Sequence, residues 1–203
     1  MLKTMEYTVS RTNSPEDYRQ VEEMVHDFFK DMPVVAVFGL ENSPPDTQPR
    51  IYGPEDFIVK ATDSAGKIIG FAVNKTDIQT KPKPPPDRIE LREFLHFVKD
   101  SANLDQLPDR SIELRVLSVS KEWRQRGVAR RLVEGSMKEA KAAGFKAMKI
   151  CCVSEYTAVL VKKMGWREQY RLAYKDYPGL SGKNLHLKSV PGQDYVYYYV
   201  VDL

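Results

Sequence analysis

The segment Arg124-Gln125-Arg126-Gly127-Val128-Ala129-Arg130-Arg131 decides the reading of this chain. It follows the apolar run from Ile112 to Val119. It opens a pattern in which Val128, Leu132, Met137 and Ala140 share one face, closed by Gly144. The spacing predicts a strand over 112–119 and a helix over 126–143. Four arginines crowd the start of that helix, where the dipole is positive and each cation is disfavoured by roughly 0.3–1 kcal/mol. A bound anion offsets that penalty, held by backbone N–H groups, the dipole and guanidinium forks together. Gly127 and Ala129 have no side chain long enough to keep a phosphate from the backbone. A solvated basic helix face is the plainer alternative. Neither GxxxxGK followed by Ser or Thr nor a strand-borne GxGxxG occurs, so a phosphate-bearing ligand other than the usual mono- and dinucleotides remains.

Downstream, the pattern predicts a strand over 146–153, a helix over 155–164 closed by Gly165, and strands over 167–174 and 195–201. Helices that end in Gly and return directly to strands indicate βαβ packing with at least one parallel pair. Upstream, residues 7–11 read as a strand. Ser14-Pro15-Glu16-Asp17 starts a helix whose apolar positions Tyr18, Val21, Val25, Phe28 and Phe29 run as far as Pro33. A loop with four prolines spans 41–54, and a strand pair over 56–61 and 67–74 turns at Asp63-Ser64-Ala65-Gly66. A second proline-rich loop at 81–86 precedes a helix over 88–99.

Composition narrows the class. The chain has 203 residues, 42% hydrophobic and 29% charged, which suits one α/β domain able to bury roughly 70% of its unfolded surface. A net charge of +3 with interspersed signs offers no nucleic-acid arm. No apolar run spans a membrane, and no signal peptide is expected. The adjacent pair Cys151-Cys152 fits neither a disulfide framework nor a CxxC site, and His26, His96 and His186 lack ligand spacing. The expectation is a cytoplasmic protein without a metal, a monomer or weak homodimer. The sequon Asn74-Lys75-Thr76 is expected to be silent.

With these residues in place, Arg124 to Ala129 after the strand Leu114-Arg115-Val116-Leu117-Ser118-Val119 resembles the acetyl-CoA signature of the GCN5-related N-acetyltransferases. Ser154-Glu155-Tyr156-Thr157-Ala158 through Met164-Gly165-Trp166 is similar to that family's second motif. The resemblance covers about Ile112 to Arg171. Phe28-Phe29-Lys30-Asp31-Met32-Pro33, the LRVLSV strand and SEYTA resemble the insect arylalkylamine branch. The resemblance implies a single domain over 1–203 with its cofactor core at about 111–171. Its α/β (α+β mixed) fold would be a mostly antiparallel twisted sheet with a central parallel pair and helices on both faces. It implies acetyl-CoA as donor, contacted by Leu117, Ser118, Val119, Arg124, Gln125, Arg126, Gly127, Val128 and Ala129. Ser154 stands where many relatives place an Asn that touches the cofactor; an ordinary helix cap is its other reading.

Acetylating an amine needs a neutral nitrogen, so a general base is expected. The insect branch carries a Glu where this chain has Met32. Glu113 is the best substitute, on the strand leading into the cofactor motif, although an ion pair with Arg115 on the same face accounts for it equally well. Asp31 is a second candidate. Relatives often place the leaving-group acid at the position of Val161, so Tyr156 or a C-terminal tyrosine is left for that role. The acceptor suggested is a small primary amine of the arylalkylamine kind, in an apolar slot to which Phe28, Phe29, Phe38 and Tyr52 could contribute. The rivals are an acyl-CoA-binding protein that has lost its chemistry, and an acetyltransferase acting on proteins.

Overall fold

The computed structural model describes residues 6–12, 14–43, 53–76, 88–179 and 187–203. Tyr52, His186, the proline-rich stretch 81–86 and most of the loop 41–54 lie outside the described residues. Along the chain run β1 (Tyr7–Thr12), α1 (Pro15–Lys30), α2 (Pro33–Val37), β2 (Phe57–Asp63) and β3 (Ile68–Lys75). Then come α3 (Ile89–Ser101), β4 (Ser111–Val119), α4 (Val128–Ala142), β5 (Ala147–Cys152), α5 (Glu155–Lys163), β6 (Arg167–Ala173) and β7 (Tyr195–Asp202). Among the described residues these strands form one seven-stranded sheet in the order β1-β2-β3-β4-β5-β7-β6. Every neighbouring pair is antiparallel except β4 and β5.

Strand alternation gives the sheet two apolar faces. On one, Phe57, Val59, Ile112, Leu114, Met148, Ile150 and Tyr199 pack under Leu132, Val133 and Ala140 of α4 and Ala158 and Val161 of α5. On the other, Ile58, Phe71 and Val73 meet Val21 and Val25 of α1, while Val196 and Tyr198 meet α2 and α3 through Val34, Leu91, Phe94 and Val98. The expected architecture of a mostly antiparallel sheet, a central parallel pair and helices on both faces is the one observed.

Two elements depart from expectation. Pro33, read as the end of a helix, is the first residue of a new one, because proline lacks only an N–H that the first turn leaves unbonded anyway. Three buried valines, Val34, Val35 and Val37, hold this short α2 despite their poor helix propensity. The helix expected from Arg126 begins instead at Val128, because Gln125 (φ 60°) and Gly127 (φ 78°) are left-handed and belong to a loop. Asn74 of the sequon is fully buried and donates its side-chain amide to Ser136 Oγ at 3.0 Å.

Candidate active site

β4 and β5 pair only at Ser111–Ala147, Ile112–Met148 and Glu113–Lys149. Beyond that point they separate, although β4 continues to Val119 and β5 to Cys152. On its other side β4 stays on β3 with a bulge: Val73 opposes Val116 and Asn74 opposes Leu114, so Arg115 is the extra residue. Bulges bend a strand and increase its twist, which suits a strand leaving its neighbour. The bulge also resets the alternation. Leu114 and Leu117 face α4, whereas Val116 packs with the α1 side and Arg115 reaches Glu113. The centre of the sheet is thus split, with backbone edge on one wall and charged side chains at its root.

At one end of the split lies the loop leading into α4. Its N-cap is Gly127, with no side-chain cap, so the first-turn N–H groups keep their bonding capacity. No acidic residue occupies that turn. Arg124 donates from Nε to the Val119 carbonyl at 3.2 Å, tying the loop to the end of β4. Arg126 lies over the Trp123 ring at 5.5 Å and Arg131 over Tyr7 at 5.8 Å, while Arg130 bonds Glu134 at 2.9 Å. The uncapped helix start, the left-handed residues and the two loop arginines Arg124 and Arg126 form a cradle suited to a diphosphate.

Asp31, the C-cap of α1, is turned toward this loop. Its carboxylate sits 3.0 Å from Lys121 Nζ and 3.6 Å from Arg124 Nη2. Asp31 is therefore committed to two cations of the donor loop. Met32 and Phe29 beside it pack into the α2–α3 core. Lys121 carried no signal in the sequence, because its partner lies ninety residues away in the chain order and across the fold.

Glu113 is 5% exposed and accepts two bonds from Arg115 Nη1, at 3.0 and 3.1 Å. The structure thus realises the ion pair that was one of the two readings of this carboxylate. Arg115 is 38% exposed, and the carboxylate beside it raises its guanidinium above its already high range. Lys149, the register partner of Glu113, is 4% exposed, and Cys151 follows two residues on. Burial, reinforced by the Glu113 carboxylate, pushes the Cys151 thiol up to about 12. Cys152, facing the α4–α5 core, is raised as well, chiefly by burial. Tyr198, opposite Cys151 in register, is buried on the Glu113 side. Burial likewise raises Tyr174, whose hydroxyl donates to the Val153 carbonyl at 3.4 Å.

The second motif lies at the start of α5. Ser154 is the N-cap residue, but its side chain makes no cap bond; Gln193 Oε1 accepts from the Glu155 N–H at 3.0 Å instead. Glu155 in turn accepts from the Tyr197 hydroxyl at 3.0 Å. Nothing in the local sequence marks Gln193 for this task, since it arrives from the loop before β7. Tyr156 stands 81% exposed on the first turn of α5, and Val161 is fully buried beneath that helix. Phe38 packs tilted against Phe94 in the α2–α3 core at 5.1 Å, and Phe29 carries the Arg88 guanidinium at 4.1 Å, so these two of the four expected slot aromatics are packing residues, while Phe28 is half-buried. Among the described residues no group of three metal-ligating side chains comes together, and no helix is long and apolar enough to cross a membrane.

An uncapped helix start with two arginines, beside a split parallel strand pair, suits an anionic ligand lying along the β4 edge. The model of the acetyltransferase (GNAT) family matches residues 21–166, and the chain belongs to that family. It is an N-acetyltransferase of a family that takes its acetyl group from acetyl-CoA. The fold is similar to that of arylalkylamine N-acetyltransferase 2 from Aedes aegypti, with TM-score 0.79 and 20% identity over 97% of this chain and 99% of that one. It is also similar to a Drosophila melanogaster polyamine N-acetyltransferase described as forming N-acetylagmatine. There the TM-score is 0.76 and the identity 17%, over 98% of this chain and all of the other.

Proposed function

We propose that this chain moves an acetyl group from acetyl-CoA directly to a small primary amine, of the arylalkylamine kind, using Glu113 as the base. The observation that carries the reading is the split of β4 from β5, with the uncapped start of α4 at one end and Glu113 at its root. The donor's diphosphate fits the amides of Gln125 to Ala129 with Arg124 and Arg126. The β4 edge at Leu117, Ser118 and Val119 offers its backbone to the pantetheine arm. Ser154, whose side chain does not cap α5, has its hydroxyl available to the donor.

The acceptor nitrogen attacks the thioester carbon, the N–C bond forms, and the C–S bond breaks. The proton leaves the amine for Glu113, directly or through one water, because each carboxylate oxygen has a lone pair beyond the one given to Arg115. Asp31 is not used as the base in this scheme, since its oxygens face Lys121 and Arg124. A thiol ordinarily titrates near 8.5, so the sulfur departs as thiolate without a dedicated acid. Tyr156, exposed as it is, is then dispensable.

The test is thiol release from acetyl-CoA across aryl, alkyl and polyamine acceptors. Amine-dependent release is expected, and Glu113→Gln should lower kcat by roughly 10²-fold while leaving acetyl-CoA affinity nearly unchanged. Buried Val161 and packed Met32 favour one rival, a binding protein that keeps its donor cleft and has lost turnover. Tight acetyl-CoA binding with no release for any amine would establish that rival.

A further inference from the structure

The acceptor side of the split carries a cation that simple amine transfer does not require. β4 is the fourth of the seven strands, so its side chains should be covered from both faces, as Glu113 and Leu114 are. Arg115, next along, is 38% exposed. Its exposure coincides with the stretch of β4 beyond Glu113–Lys149, the last pair with β5. Two residues on from Glu113, Arg115 lies on the same face, and the ion pair engages Nη1. Among the described residues no other acceptor is bonded by this guanidinium, so its Nη2 edge still offers parallel donors to a second anion. Lys149, the register partner of Glu113, is buried on the neighbouring strand. A guanidinium with an uncommitted edge attracts an acceptor that carries a negative charge.

The geometry points to Arg115 as the residue that selects the acceptor. The preferred substrates are primary amines that carry a carboxylate, amino acids, with the carboxylate on Arg115 and the amine beside Glu113. This deepens, and rests on, the acetyl-transfer reading above. In an α-amino acid one carbon separates the two groups, so the molecule can straddle an Arg–Glu pair whose own charges stand side by side. The products are the N-acetyl amino acid and free CoA thiol, with the amine proton passing to Glu113.

The experiment compares paired acceptors, phenylalanine with phenethylamine and tyrosine with tyramine, in wild type, Arg115→Gln and Arg115→Lys. Within each pair the ratio of kcat/KM isolates the carboxylate, because any effect transmitted through Glu113 acts on both members. Wild type should prefer the acid. Arg115→Gln should lower the acid-to-amine ratio by about 10- to 100-fold, the usual loss of a charge-assisted pair. Arg115→Lys should fall between, since it keeps the charge without the fork. Wild-type preference for the decarboxylated member overturns the proposal while leaving acetyl transfer intact. So does a ratio unmoved by Arg115→Gln. Absence of turnover with all four acceptors, while another amine of the wider panel is acetylated, overturns this inference and leaves acetyl transfer intact; absence with every amine overturns both.

Discussion

The donor end of the split and its acceptor face are built in different ways. Apart from Ser154, the residues assigned to acetyl-CoA lie in one short run, from Leu117 to Ala129, and their arrangement depends on backbone: a strand edge, two left-handed residues and an uncapped helix. On the acceptor face Glu113 and Arg115 of β4, Lys149 and Cys151 of β5 and Tyr198 of β7 meet only through the sheet. A site made of backbone tolerates side-chain change and fails when a glycine is lost. A site made of side chains from several elements depends on burial and charge. The two cysteines test this contrast most directly, because consecutive residues of β5 look to opposite faces.

A Cys151 thiol near 12, rather than 9, carries about a thousandth of the ordinary thiolate at pH 8, and alkylation should slow by a factor on the order of 10³. Half-buried Cys151, on the split face, should still react before Cys152, which is 1% exposed under α5. Mass spectrometry of iodoacetamide-treated native protein reads both sites. Earlier labelling of Cys152 would show that the open face has been wrongly assigned. Both folded-state thiols hold their proton more tightly than the unfolded chain does. Their contribution to stability is therefore complete below pH 9 and is lost at higher pH, for Cys151 as pH climbs from about 9 toward 12.

Two glycines sharpen the same contrast at a smaller scale. A Cβ on Gly70 would lie 2.8 Å from the Ser118 backbone oxygen, across the β3–β4 pair, and would force the strands apart. A Cβ on Gly127 would meet nothing within 4 Å and suffers only from its φ of +78°. Gly70→Ala should destabilise by about 2–3 kcal/mol. Gly127→Ala should cost about 1–2 kcal/mol and express itself mainly as weaker acetyl-CoA binding. Thermal unfolding with and without acetyl-CoA separates them. Equal loss of stability in the two variants would contradict the open surroundings of Gly127.

The same division explains what could be read from the chain in advance. Helix stripes, glycine stops and the RQRGVA cradle are local patterns, and they led to the correct sheet, the parallel pair and the family. The start of α4 was misjudged by two residues because Gln125 has the unusual left-handed φ that helix spacing cannot announce. α2 was missed because Pro-Val-Val-Ala-Val carries no helical propensity and exists through burial of its valines. Lys121 on Asp31, Gln193 on Glu155 and Tyr197 on Glu155 join segments far apart in sequence, so no spacing rule anticipates them. Asp31 looked like a base because it precedes Met32; only the fold turns it to the donor loop.

That reassignment yields the smallest predicted effect and a sharp one. Asp31→Asn keeps the shape of the side chain and removes a charge that lies 3.0 Å from Lys121 Nζ and 3.6 Å from Arg124 Nη2. Such half-exposed pairs contribute about 0.2–1 kcal/mol, so stability should change little. The sign of the binding effect follows from charge: without Asp31 the loop is more positive, and the acetyl-CoA phosphates are held more tightly. A two- to threefold lower Kd is expected at low salt, by order of magnitude about 0.5 kcal/mol. The gain should shrink as ionic strength rises, since the screening length falls to about 8 Å at 0.15 M. kcat should stay within about twofold of wild type, because Asp31 is assigned no proton. A fall of about 10²-fold in kcat with unchanged donor binding would reverse the assignment, making Asp31 the base and Glu113 the structural partner of Arg115.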